Sequence, residues 1–180
     1  LDPLFRVTVP PAPAAVTPGR KTILFAPTWN RHLSAADLMR QRTVELLRGD
    51  GDANVIIKPH PHTEQLRPDW MQALRTAARA HPDVWLVEDP AADVVPLLGA
   101  VDVLVSDVSS VLFSWLALDR PMVLVTHPNR EQDPGYDPGG IEWQWRDMGE
   151  EVLDIETLPG AVSRALSDPA RHAPRRAHYR

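Results

Sequence analysis

Cysteine is absent from the chain, which excludes disulfides, zinc–thiolate centres and cysteine nucleophiles together. No apolar run approaches the roughly 20 residues that a membrane-spanning helix needs. A surplus of basic residues is also missing. The formal net charge is -5, which argues against a nucleic-acid grip, because that normally needs a basic face. There is no P-loop and no Gly-x-Gly-x-x-Gly, so Walker-type nucleotidases and the common dinucleotide fingerprint fit poorly. There is no Gly-x-Ser-x-Gly elbow of the hydrolase type either. The opening residues, Leu1-Asp2-Pro3-Leu4-Phe5-Arg6, show neither an initiator Met nor a signal-peptide pattern. An upstream domain is therefore expected to be missing, and with it part of the active site.

What remains has the composition of a soluble globular protein, with 43% hydrophobic and 24% charged residues in a chain of 180. Residues 1–20, including Val9-Pro10-Pro11-Ala12-Pro13, read as an extended linker, because repeated proline fixes φ and removes donors. Residues 21–170 read as one α/β domain. Residues 171–180, with Arg171, Arg175, Arg176 and Arg180, read as a frayed, solvated basic tail. Attraction of that cluster to anionic lipid at a membrane surface is the alternative.

Within 21–170, short apolar runs alternate with helical spacing. Runs at Thr22–Ala26, Val55–Ile57, Val84–Val87, Val101–Val105, Met122–Val125 and Glu151–Ile155 predict about six strands. Helices are expected over Ala35–Arg48, Pro68–Ala80, Asp93–Gly99, Ser109–Leu118 and Thr157–Ser167. Ser34 is the expected cap of the first, and Gly49 its stop. Strands that are apolar on both faces and alternate with helices predict a doubly wound, mostly parallel α/β sheet. Thr126–Glu150 is a long loop whose Trp143 and Trp145 either plug it onto the sheet or face a ligand.

In open parallel sheets, ligands bind beyond the carboxyl ends of the strands. The first strand ends at Thr28, which offers a hydroxyl, and Arg31, which offers a charged fork. The second ends in Lys58-Pro59-His60-Pro61-His62. Two prolines stiffen the backbone around His60 and hold an imidazole suited to carrying a proton or gripping a phosphate. No third ligand stands at a suggestive spacing from His60 and His62, so no metal is expected. The fourth strand ends in Ser106-Asp107-Val108-Ser109-Ser110 and leads straight into a helix. Free N–H groups at that helix start, with the hydroxyls of Ser109 and Ser110, form a cradle for a phosphate or diphosphate. Capping of the helix by a Ser or Asp is the plainer role.

Three of these segments taken together, Ile23–Asn30 (ILFAPTWN), Val55–Pro61 (VIIKPHP) and Val101–Val125 (VDVLVSDVSSVLFSWLALDRPMVLV), resemble the CDP-glycerol glycerophosphotransferase family of teichoic-acid and capsule polymerases. The resemblance implies the carboxyl-terminal, nucleotide-binding Rossmann-like half of a GT-B-like enzyme. It implies transfer of a polyol phosphate from a CDP-alcohol donor to a polyol-phosphate or glycan polymer, with no further cofactor. By the same resemblance His60 is implicated in catalysis, Ser109 and Ser110 hold the donor diphosphate, and Asp107 is the acidic residue just before them. Thr28, Lys58 and Arg31 complete the expected nucleotide site. The enzyme is expected in the cytoplasm at the inner face of the membrane. The family's Trp-His-Gly motif, which lies in the amino-terminal half, does not occur here. Val108 stands where the family usually has Tyr, and Ser114 where it has Asp. Two alternatives share the pattern: a nucleotide-sugar GT-B glycosyltransferase or UDP-sugar epimerase relative, and a non-catalytic nucleotide-binding module.

Overall fold

The computed structural model describes residues 16–180, so most of the expected linker lies outside the described residues. Its last residues are tied to the sheet, because both backbone groups of Thr17 bond to the side-chain amide of Asn54, at 2.9 and 3.0 Å.

Six strands are present: β1 (Thr22–Phe25), β2 (Asn54–Ile57), β3 (Val84–Leu86), β4 (Val103–Ser106), β5 (Met122–Val125) and β6 (Glu150–Val152). They form one sheet in the order β3-β2-β1-β4-β5-β6, and every pairing is parallel. The helices are α1 (Ala35–Met39), α2 (Thr43–Arg48), α3 (Thr63–Leu66), α4 (Pro68–Arg79), α5 (Val95–Leu98), α6 (Val111–Leu116), α7 (Ile141–Gln144), α8 (Leu158–Ser167) and α9 (Ala173–Tyr179). This is the doubly wound, Rossmann-like architecture expected from the sequence.

The strand residues explain the two layers. Side chains alternate across a strand, so Ile23, Phe25, Val55, Ile57, Val103, Val105, Val123 and Val125 enter one core with the apolar faces of α1, α2, α4 and α8. Leu24, Ile56, Leu104, Met122 and Leu124 enter the other core with α5 and α6. With both faces covered, β1, β2, β4 and β5 are buried throughout, which is why they read as largely apolar runs.

Besides the short helices α3 and α7, which fall in segments read as loop, and some helices shorter than predicted, two larger departures stand out. The helix predicted over Ala35–Arg48 is broken at Arg40, which takes φ 48° and ψ -127°. That region suits glycine and costs a side-chain-bearing residue about 1–3 kcal/mol. The break is held by one local contact and two distant in sequence. The Arg40 guanidinium pairs with Asp37 and with Asp69, the latter at 2.7 Å, and lies 5.4 Å from the Trp70 ring. The predicted stop is found where expected: Gly49 has φ 54°, and a Cβ there would come within 2.9 Å of Pro159 on α8.

The second departure is the tail. Rather than fraying, residues 173–179 form α9, and Arg176 is buried with its Nε donating to Asp119 at 3.0 Å. Tyr179 stacks on Trp145 with ring centroids 4.7 Å apart. Arg171, Arg175 and Arg180 pair with Glu150, Asp147 and Asp119. The tail's charge is therefore matched by acidic partners on the domain, which weakens the lipid-surface alternative. Among the described residues no helix is long and apolar enough to cross a membrane.

Candidate functional site

Strand order places the site. β1 lies between β2 and β4, so the loops after β2 and β4 flank the loop after β1 at the carboxyl edge, where the crossovers diverge. There a cavity of about 210 Å³ opens, and its lining includes Pro27, Lys58, His60, Asp93 and Ser109. The imidazole and the serine that the sequence singled out from separate strands thus share one opening.

His60 is half-buried. Its Nδ1 accepts the backbone N–H of His62 at 3.1 Å, so the neutral ring carries its proton on Nε2. Burial, His62 and Lys58 hold the imidazole below its ordinary pKa. Trp29, from the loop after β1, sits beside it, with ring centroids 6.2 Å from His60 and 5.5 Å from His62. Lys58 is buried, and its Nζ donates to the Pro59 carbonyl at 3.1 Å. Burial lowers the ammonium's pKa, while Asp89 and Asp93 act in the opposite direction.

Ser109 and Ser110 begin the turn into α6. Ser110 occupies the cap position with helical dihedrals and makes no side-chain capping bond, so its hydroxyl is not committed to the helix. α6 has six residues, shorter than the helix predicted, so donation rests on local N–H groups and hydroxyls more than on a long dipole. Ser110 is exposed and does not line the opening, and the same holds for Arg31. Thr28 is buried, with its hydroxyl 3.4 Å from the Asn30 side chain.

Asp107 has a different position from the one its place in the motif suggests. It is fully buried. Its carboxylate accepts the N–H of Thr28 at 2.9 and 3.1 Å, of Ala35 at 2.9 Å and of Val108 at 2.7 Å. The side chain therefore joins the loops after β1 and β4 from beneath the opening. Burial pushes its pKa up to about 6, against the pull of these N–H groups and of Arg146. Ser34 continues the same scaffold as the expected cap, with its hydroxyl donating to the Thr28 carbonyl at 2.8 Å and accepting from Ala36 at 3.1 Å.

Sequence reading missed Arg146. It is buried within the Thr126–Glu150 loop, and its Nη1 donates to the Asp107 carbonyl at 2.7 Å. The only local hint was its place beside Trp143 and Trp145. Of those two, Trp145 lies against the second core and Tyr179, while Trp143 lies 5.3 Å from the Arg146 guanidinium carbon.

A larger opening, about 790 Å³, lies at the opposite edge between α2 and α8. Its arginines are committed, Arg20 to Asp52 and Asp83, and Arg48 to Asp83. It also sits at the amino ends of β1 and β2, away from the edge where parallel sheets bind ligands. Size alone does not make it the site.

Comparison with known proteins agrees with this fold. The wall teichoic acid polymerase TagF superposes with a TM-score of 0.63 at 18% identity, over 91% of this chain and 40% of that one. Trehalose 6-phosphate synthase from Burkholderia multivorans gives 0.61 at 12% identity, over 88% of this chain and 37% of that one. The glycosyltransferase SnogD from Streptomyces nogalater gives 0.56 at 17%, over 91% and 39%. The chain thus spans about two fifths of the length of these structures, and at such identities the likeness is one of fold, that of a GT-B half. No curated protein sequence matches the chain. Residues 12–131, more than half of the chain, match the family described as CDP-glycerol:poly(glycerophosphate) glycerophosphotransferase. On that match the chain belongs to the CDP-glycerol glycerophosphotransferase family, as a GT-B-like transferase domain.

Proposed function

We propose that this domain binds the CDP-alcohol donor of an enzyme that transfers a polyol phosphate to a teichoic-acid or capsule polymer. The observation that carries this is the shared opening of Lys58, His60 and Ser109 at the carboxyl edge. One cation, one imidazole N–H and one hydroxyl, with Ser110 close by in the chain, suit a diphosphate. The opening is smaller than the roughly 300–1,000 Å³ of pockets that enclose whole ligands. It accommodates the phosphates, and the rest of the donor lies against Thr28, Arg31 and a second wall supplied by an amino-terminal domain.

In the reaction, an acceptor hydroxyl oxygen attacks the phosphorus that carries the polyol. The bond from that phosphorus to the bridging oxygen breaks, and CMP leaves with the electron pair. The hydroxyl proton passes to a base on the opposing wall. Positioning and charge stabilisation dominate such displacements. His60 Nε2–H donates to the leaving phosphate, and an approaching dianion raises the pKa of the ring that burial has lowered. Asp107 acts as the clamp beneath. The setting proposed is the cytoplasm, at the inner face of the membrane where such polymers grow.

Calorimetry with CDP-glycerol, CMP and UDP-sugars tests this reading. Binding of CDP-glycerol that weakens about tenfold in Ser109→Ala/Ser110→Ala supports it. Preferential binding of UDP-sugars favours a nucleotide-sugar transferase. Absence of heat with every nucleotide refutes a donor site.

A further inference from the structure

Arg146 is 6% exposed, and each of its nitrogens is committed inside the domain. Nη1 donates to the Asp107 carbonyl at 2.7 Å, Nη2 to the Thr126 hydroxyl at 2.7 Å, and Nε to the Glu151 carboxylate at 3.3 Å. These partners stand at the end of β4, at the end of β5 and within β6. Among the described residues Glu151 is its one ion-pair partner, and that carboxylate is 38% exposed. Burial lowers the guanidinium's pKa. An apolar side chain of similar volume would fill the same space without that desolvation cost. What the cation adds is reach: one planar fork fixes three chain segments at once.

Asp107 is held from two directions. Its carbonyl accepts from Arg146, and its carboxylate accepts from Thr28, Ala35 and Val108. Ser109 and Ser110 follow within three residues. We infer that Arg146 is a positioning residue for the donor diphosphate, anchoring the turn that presents Ser109 and Ser110 without touching the ligand itself. This rests on the donor-site reading above and adds the Thr126–Glu150 loop to the site's machinery. It also gives that loop a task different from the two weighed on sequence. Trp145 plugs part of the loop onto the second core, and the loop also sends one side chain, Arg146, to the Asp107 carbonyl.

Two measurements on Arg146→Met and Arg146→Lys test it. The first is amide hydrogen exchange. Anchoring requires at least about tenfold faster exchange at Val108–Leu112 in Arg146→Met, with β1 and β2 unchanged and partial recovery in Arg146→Lys. The second is the affinity for CDP relative to CMP. A disordered cradle loses its grip on the second phosphate, so the CDP:CMP ratio falls about tenfold, whereas a general loss of stability leaves the ratio alone. Unchanged local exchange overturns the anchoring, and an unchanged ratio overturns the role toward the diphosphate. Wild-type chain that binds neither nucleotide overturns the donor-site reading, and the role of Arg146 toward it, while exchange still judges the anchoring alone. If Arg146→Met does not fold, Arg146→Lys carries both measurements, with the same outcomes decisive.

Discussion

Two histidines close strands of this sheet in the same tripeptide form, His60-Pro61-His62 after β2 and His127-Pro128-Asn129 after β5. Their local geometry is nearly identical. Each Nδ1 accepts the backbone N–H two residues on, at 3.1 Å in both cases, and burial is the main cause of a lowered pKa in both. Their surroundings differ. His60 lines the opening. His127 is 2% exposed, and its Nε2 faces Asp37 at 3.6 Å with no hydrogen bond. A His-Pro turn therefore makes a stiff mount for an imidazole. Whether that mount faces an opening or packing is decided by the neighbouring strands: β2 lies next to the crevice at β1, and β5 lies beyond it with Asp37 of α1 beside the ring.

That contrast can be broken or sharpened by measurement. The largest effect is expected from the Asp107 clamp on β1 and β4, the two strands that lie between these regions. Asp107→Ala leaves two buried N–H groups and one part-buried N–H group without an acceptor and should cost about 3 kcal/mol of unfolding free energy in urea titration. His127→Ala should come next, losing about 2 kcal/mol through the cavity it leaves, with CDP affinity unchanged by calorimetry. His60→Ala should show the reverse. Stability should move within about 0.5 kcal/mol, while CDP affinity falls about tenfold. Equal effects of the two alanine changes on affinity would erase the distinction.

The smallest expected effect is in pH dependence. The folded pKa of His127 lies below the ordinary 6.5, so the unfolded chain binds more protons between those values and stability rises with pH across that window. The contribution is complete above pH 6.5 and is lost as pH falls through the window. Asp107 acts with the opposite sign, because its pKa is raised from 3.8 to about 6 and its ionisation weakens the fold as pH rises between those values. The change in urea midpoint from pH 5 to pH 7.5, taken with its sign, should therefore be more negative or less positive in His127→Gln than in wild type. An equal difference in both proteins removes His127 from the account.

The contrast also marks what could be read from sequence. The central strands were legible because both faces are apolar, and the strand-end rule singled out Lys58, His60 and Ser109, which line one opening in the structure. The Asp107 clamp was not legible, since a carboxylate before two serines looks the same whether it faces ligand or backbone. Its partners at Thr28 and Ala35 lie over 70 residues away. The break at Arg40, the docking of α9 through Arg176 and Asp119, and the reach of Arg146 have the same character. Each depends on pairings between distant segments that leave no period and no local motif.

The central place of β1 has a kinetic corollary. His60 and Ser109 are separated by nearly fifty residues of chain and meet only after strands on both sides of β1 have paired. A half-assembled sheet would lack the proposed donor site, so on that reading nucleotide binds only a chain in which β2, β1 and β4 have paired. Any affinity it has is then transmitted to the folding equilibrium, and a rise in melting temperature with ligand would report pairing of the three strands around the site rather than the ordering of one loop.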